Sequence, residues 1–262
     1  MKKTRHILGL SGGKDSTALA IYMRDKVPDM EYVFTDTGAE LPETYEYLDK
    51  LESYLGKKVV RLNAETAFED LLEKKNGYLP SPRVRWCTVE LKIIPYEKYV
   101  GSDDIYSYIG IRADENRAGY ISSKPNIKPV FPFKEAGITI KEVKEILDNS
   151  GIGLPKYYEW RSRSGCYFCF FQQRKEWIGL LQRHPDLYEK AKTFEKTVGD
   201  KKFTWVEGNT LKDIEKNADE IMKRAEDKAV REAQNKKKKT LFEILGNADG
   251  EEDDQSCVVC DV

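Results

Sequence analysis

Neither sign of charge dominates this 262-residue sequence, in which Lys and Arg number 44 against 45 Asp and Glu. That balance excludes a globally basic surface, so any contact with nucleic acid must be local. Long hydrophobic runs are also missing. Residues 1–6 lead into a short apolar segment and not into the core of a signal peptide, and no later stretch reaches the ~20 residues that cross a bilayer. A cytoplasmic protein with no membrane partner is expected. Cysteine is scarce, with 5 residues, an odd number. In a reducing compartment they read as metal ligands, redox groups or small buried hydrophobes, and not as a disulfide framework. No internal repeat is visible. What is present is a 40% hydrophobic content, enough for a sizeable core in one α/β domain with an appended helical region.

The first hundred residues alternate short apolar runs with helical periodicity, the pattern of βαβ units around a parallel sheet. Strands are predicted at 6–10, 32–35, 58–62 and 105–111. Helices are predicted from the glycine loop to Pro28, from Pro42 through Leu55, after a Thr66/Glu69 capping box, and after a second box at Thr139 and Glu142. Residues 155–200 are rich in aromatics, arginine and cysteine, and 207–234 read as one long charged helix. Three regions are expected: a nucleotide-binding α/β domain over 1–135, a helical and cysteine-bearing region over 136–245, and an acidic tail over 246–262.

The strongest signal is the run from Gly9 to Thr17, placed where a strand turns into a helix. Gly12 and Gly13 let backbone N–H groups approach phosphate oxygens, and the helix N-terminus adds partial positive charge. Lys14 supplies a full charge. Ser11, Ser16 and Thr17 offer hydroxyls, and Asp15 has the chemistry to cap the helix or hold Mg2+. An ordinary Ser/Gly turn would not require the lysine and the flanking hydroxyls together. The spacing is not that of a Walker A loop.

The string Ser11-Gly12-Gly13-Lys14-Asp15-Ser16 resembles the signature of the PP-loop ATP pyrophosphatases. Three further segments are similar to those of the phosphoadenosine phosphosulfate (PAPS) reductase-like family, in the pattern of its DNA phosphorothioation sulfurtransferases. These are Phe34-Thr35-Asp36-Thr37-Gly38 with Leu41-Pro42-Glu43-Thr44, Arg85-Trp86-Cys87 with Leu91-Lys92, and the run from Gly110 to Glu115. The resemblance covers roughly residues 5–180. It implies a Rossmann-like, doubly wound parallel sheet (adenine nucleotide alpha hydrolase-like) that binds ATP and Mg2+ over the C-terminal strand ends. It also implies catalytic roles for Lys14, Asp15 and Arg112, with Asp36 and Thr37 near the adenosine and Arg85, Lys92 and Arg112 clamping phosphates. The bare residues also permit an Asx-type turn at Asp36 and surface roles for the cations.

Cys166 and Cys169 form a Cys-x2-Cys pair, a spacing at which two thiolates reach one metal. Within the resemblance Cys87 joins them, and a [4Fe-4S] cluster on Cys87, Cys166 and Cys169 is expected first, with Cys257 or Cys260 as a further ligand. Zn2+ ranks second and buried inert thiols third. Cations and aromatics interleave around the pair, among them Arg161, Arg163, Tyr157, Trp160 and Phe170, which suits either a nucleic-acid substrate or an aromatic core with snorkelling arginines. The expected reaction is adenylation of an acceptor for sulfur transfer, with DNA phosphorothioate modification foremost and a cysteine desulfurase as the kind of sulfur donor. PAPS reduction, tRNA thiolation and non-catalytic nucleotide binding are the alternatives. The tail pair departs from the Glu-Cys-Gly-x-His-type motif of the family's reductases, which lowers the reductase reading.

Overall fold

The computed structural model describes residues 3–117, 124–198 and 201–238. Five parallel strands form its sheet: β1 (Thr4–Leu10), β2 (Glu31–Asp36), β3 (Val59–Asn63), β4 (Asp104–Tyr108) and β5 (Ile127–Val130), in the order β3-β2-β1-β4-β5. Parallel neighbours need crossover connections. Helix α1 (Lys14–Met23) links β1 to β2, and α2 (Pro42–Leu55) links β2 to β3. Between β3 and β4 run α3 (Phe68–Lys74) and a continuous helical stretch. That stretch comprises α4 (Trp86–Thr88), a π-helical turn over Val89–Ile93 and α5 (Ile94–Val100).

Alternation along the strands builds two cores. After β5 follow the short α6 (Pro132–Glu135) and α7 (Ile140–Asn149), and Leu8, Leu10, Tyr32 and Phe34 face α1, α2 and α7, meeting Leu19, Leu48, Val143 and Leu147. Ile7, Val33 and Ile105 face the opposite way, against Tyr96 and Val100 of α5. The sheet is therefore doubly wound, as the sequence predicts. Helix α7 lies on the sheet side of the chain, packed against α1.

A third, aromatic core caps the C-terminal strand ends. It gathers Phe68, Trp86 and Phe168 with Trp177 of α8 (Arg174–Arg183), Tyr188 of α9 (Pro185–Thr193) and Trp205. The Phe68 and Phe168 rings lie 4.1 Å apart, and Phe168 stacks on Trp205 at 5.3 Å. Tyr157, Tyr167 and Phe168 are all buried, so these aromatics of the cysteine region serve packing.

Several boundaries differ from the sequence expectations for physical reasons. Helix α1 ends at Met23, short of Pro28. Ala67 is the N-cap of α3, with no side-chain cap bond, so the Thr66/Glu69 box does not form. The Thr139/Glu142 box does form, with reciprocal bonds. Strand β4 ends at Tyr108, before Gly110. Strand β5 escaped prediction because Pro129 interrupts it, which an edge strand tolerates. The charged C-terminal run divides into α10 (Leu211–Lys216), capped by Thr210 and Asp213, and α11 (Ala218–Lys238). A short antiparallel pair, β6 (Lys196–Val198) and β7 (Lys201–Phe203), precedes them. No helix among the described residues is long and apolar enough to cross a membrane. Cys257 and Cys260 lie outside the described residues.

Candidate nucleotide site at the switch point

The strand order reverses between β1 and β4, so the loops after these two strands diverge and leave a crevice at their C-terminal ends. Both loops carry predicted residues. The first turns at Gly12, whose φ of +71° disfavours a side chain and whose added Cβ would sit 2.6 Å from Thr44 Cγ2. Gly110, in the second loop, lets β4 approach the start of α1. A Cβ there would lie 3.1 Å from the Asp15 carbonyl.

The first loop is organised by its own hydroxyls. The Ser11 N–H donates to Ser16 Oγ at 3.2 Å, the two serine hydroxyls are 3.1 Å apart, and the Gly13 N–H reaches Ser11 Oγ at 3.4 Å. Tyrosines from the 3₁₀ turn Lys156–Glu159 close it from outside. Tyr157 donates to the Gly12 carbonyl at 2.6 Å, and the Lys14 N–H donates to the Tyr158 hydroxyl at 3.2 Å. These tyrosines were not among the sequence-predicted site residues. Only their place in an aromatic run pointed to them.

The second loop adds Arg112, 9% exposed, whose Nη1 donates to Asp15 Oδ1 at 2.9 Å and forms an ion pair with Glu115 Oε1 at 2.7 Å, while its Nε donates to Asp114 at 2.9 Å. Lys14 Nζ is 3.3 Å from the other Asp15 oxygen. Asp15 therefore bridges the two cations and does not cap α1, whose N-cap is Gly13. Burial lowers the Lys14 pKa, but Tyr158 and Asp15 outweigh it, so the net shift is upward and the ammonium stays charged. Burial likewise opposes the Arg112 charge, and Asp15 and Glu115 raise its pKa overall. Desolvation raises the Glu115 pKa against the opposing pull of Arg117 and Arg112.

At the end of β2, Asp36 Oδ1 accepts the Gly38 N–H and the Tyr45 hydroxyl, both at 2.8 Å. This is the Asx-type turn that the bare residues allow. Thr37 donates to Glu40 Oε1 at 2.8 Å and sits 3.2 Å from Cys166 Sγ, which is 3.7 Å from the same carboxylate oxygen. The cysteine turn is docked here by the Tyr167 N–H, which donates to the Ala39 carbonyl at 2.8 Å. Arg161, 2% exposed, holds that turn through the Gly165 and Cys166 carbonyls, both at 2.8 Å. Its role is structural. Cys166 is half-buried as a residue, yet its sulfur faces buried Thr37, Glu40 and Lys92. Burial, then the Glu40 charge, push the thiol pKa well up, while Lys92 pulls it down.

Cys166 and Cys169 share a turn closed by a 3.0 Å backbone bond, and half-buried Cys87 packs against the aromatic core. Among the described residues, no group of three or more His, Cys, Asp or Glu side chains is arranged to hold a metal ion, Cys87, Cys166 and Cys169 included. The described residues therefore show no assembled site for the expected [4Fe-4S] cluster, and zinc shared between the two Cys-x2-Cys pairs would draw on Cys257 and Cys260, which lie outside them. The phosphate loop does suit a nucleotide phosphate, since Lys14 and Arg112 stand charged beside its glycine turn. Arg85 lies 5.3 Å from the Phe171 ring centroid. A separate cleft of about 420 Å3 opens at the end of β3, lined by Asn63, Thr66, Ile94 and Lys98 among others, and none of the predicted site residues borders it.

Residues 5–132 match the family model of the phosphoadenosine phosphosulfate reductase domain. Over that span, a little under half of its length, the chain is similar to the PAPS reductase domain. Its relatives include an uncharacterized protein of Methanocaldococcus jannaschii, 30% identical over 198 residues, covering 70% of this chain and 40% of the relative. A tRNA-specific 2-thiouridylase of Limosilactobacillus reuteri is 28% identical over 185 residues, covering 57% of this chain and 48% of that protein. The chain spans less than half the length of the first curated relatives it matches, at 40% and 45%. The crystal structure of PAPS reductase from Candida auris aligns with a TM-score of 0.48 at 15% identity, covering 63% of this chain and 82% of that one. That likeness is too loose to bear on the chemistry. The matched span thus contains both loops of the crevice, whereas the cysteine turn and the two closing tyrosines lie beyond it.

Proposed function

We propose that this chain is an ATP pyrophosphatase that activates an acceptor by adenylation for sulfur transfer. The observation that carries this reading is the Lys14–Asp15–Arg112 constellation beside a glycine cradle at the switch point. Two fixed cations next to backbone N–H groups suit a polyphosphate better than a neutral ligand. In the proposed reaction an acceptor oxygen attacks the α-phosphorus of ATP. The bond from that phosphorus to the α–β bridging oxygen breaks, and pyrophosphate leaves with the electron pair. Lys14 and the loop N–H groups stabilise the charge that develops on the leaving group, and Arg112 does so from the β4 side. Asp15 orients both cations and is the carboxylate placed to hold Mg2+, which when bound supplies Lewis-acid neutralisation of the phosphates. The terminal sulfur of a donor persulfide, such as that of a cysteine desulfurase, then displaces AMP from the adenylated acceptor, and a reducing thiol cleaves the resulting S–S bond, leaving the sulfur on the acceptor and a disulfide between the thiol and the donor.

Asp36 and Thr37 border the adenosine side, and Thr37 touches Cys166, whose charge environment includes Lys92. DNA phosphorothioate modification is one form of the reaction. The similarity to tRNA-specific 2-thiouridylases favours tRNA thiolation as a second reading with the same activation step. Release of pyrophosphate from ATP, measured with a sulfur donor and nucleic-acid acceptors, tests the proposal. Activity undiminished in Asp15→Ala would remove this mechanism. Iron and zinc analysis of anaerobically purified protein separates thiol chemistry from metal chemistry at Cys87, Cys166 and Cys169.

A further inference from the structure

Charge is segregated along this near-neutral chain. Asp and Glu make up 45 of 262 residues, yet residues 74–89 contain four cations and no carboxylate, and so do residues 160–175. The fold brings these two segments together at one aromatic ring. The Arg163 guanidinium lies 4.7 Å from the Phe171 centroid and that of Arg85 5.3 Å from it, while Phe170 stands 4.5 Å from Phe171. The ring pair also adjoins the phosphate loop, because Ser164, next to Arg163, has its Oγ 2.8 Å from where a Gly13 Cβ would be.

Packing accounts for most of the other aromatics and cations of this region, which narrows the choice. Tyr157, Tyr167 and Phe168 are core residues, and Arg161 is spent on the turn. Phe170 and Phe171 stay half-buried, and Arg174 and Lys175 are exposed at the start of α8. A guanidinium plane stacked on an aromatic ring offers a flat face for a base and a fork for a phosphate. Repeated beside a second phenyl ring, that arrangement suits an unpaired strand whose bases are free to stack.

We propose that the face around Phe170 and Phe171, flanked by Arg85 and Arg163, binds single-stranded nucleic acid and delivers it to the crevice. This deepens the functional reading by naming the acceptor class, and rests on it only for the reaction that the bound strand undergoes. Binding is read without ATP, by fluorescence anisotropy of labelled single-stranded DNA and RNA of about twelve nucleotides, a length one such site can cover. Wild-type protein is expected to bind one or both, the preferred sugar identifying the acceptor, and to bind the matching duplex more weakly. Phe171→Leu should weaken binding by roughly 5- to 100-fold, the loss of a stacked base. Arg163→Gln should weaken it at all sequences and lower the salt slope by about one. Lys141→Ala, an exposed cation on α7, should change neither. Thermal melting verifies that each variant folds, and ATP affinity should be unchanged in Arg163→Gln. Wild-type binding no tighter to single strands than to duplex, or binding unaltered in both Phe171→Leu and Arg163→Gln, would overturn the proposal. So would loss of ATP affinity in Arg163→Gln with oligonucleotide binding intact. Strand binding without pyrophosphate release would instead count against the adenylation chemistry alone.

Discussion

The phosphate loop and the cysteine turn border the same crevice, but their inner contacts differ in reach. Bonds within residues 11–17 join neighbours no more than five positions apart, through serine hydroxyls and backbone groups. The cysteine turn is held by groups 126 to 129 positions away, at Thr37 and Glu40, and by buried Arg161. The contrast teaches that the loop's inner frame is set by its own sequence, with Tyr157 and Tyr158 closing it from afar, whereas the sulfur of the turn meets its partners only through the fold. It also separates charge handling. Cations and carboxylates interlock at Asp15 and Arg112, while Glu40 Oε2 is buried with no hydrogen-bond partner.

The comparison breaks most visibly if activity does not follow the loop. Lys14→Ala should lower pyrophosphate release by about 10²–10³-fold, the scale for one lost charge-stabilising group, with the melting temperature little changed. A comparable loss in Cys169→Ser alone would shift the chemistry to the turn. Arg161→Met should act in the reverse sense. Leaving two carbonyls without their charged donor should destabilise by about 1.5–3 kcal/mol in urea unfolding and speed alkylation of Cys166 in the native state. Unchanged labelling would mean that the turn does not need this buried guanidinium.

A finer test lies within the loop. Gly12→Ala combines a positive φ with a clash against Thr44, so it should cost about 1–3 kcal/mol. Gly13→Ala meets chiefly the rotatable Ser164 hydroxyl and should cost less. Equal costs would show that backbone geometry is not what fixes Gly12. The smallest effect serves as a yardstick remote from both regions. Arg5 pairs with Glu31 at 2.6 Å and holds its carboxyl below the ordinary 4.5. Because that pKa is lowered in the folded protein, its contribution is complete above the ordinary value and is lost as pH falls through the folded one. Glu31→Gln should remove that part of the acid dependence of unfolding and leave the neutral-pH activity intact.

These contacts explain what could be read in advance. Strands β1 to β3, α2 and the Thr139 cap were legible because alternation, Pro42 and a capping box are local signals. The loop was legible for the same reason, since glycine, lysine and hydroxyls act within one turn. Strand β5 was hidden by Pro129, and the closing tyrosines by distance, since Tyr157 and Tyr158 reach a loop more than 140 residues earlier. The aromatic run around Cys166 looked uniform in sequence. Burial sorts it into core residues such as Phe168 and half-exposed ones such as Phe171, a division that no local pattern encodes.

The central claim is that the loop at Ser11 to Ser16 positions ATP for cleavage between its α- and β-phosphates. Product analysis of labelled ATP, turned over with a nucleic-acid acceptor and a sulfur donor, addresses it most directly. The account predicts AMP and pyrophosphate from the wild-type protein and neither from Lys14→Ala. ADP and phosphate from the wild type, or AMP and pyrophosphate at full rate from Lys14→Ala, would contradict it.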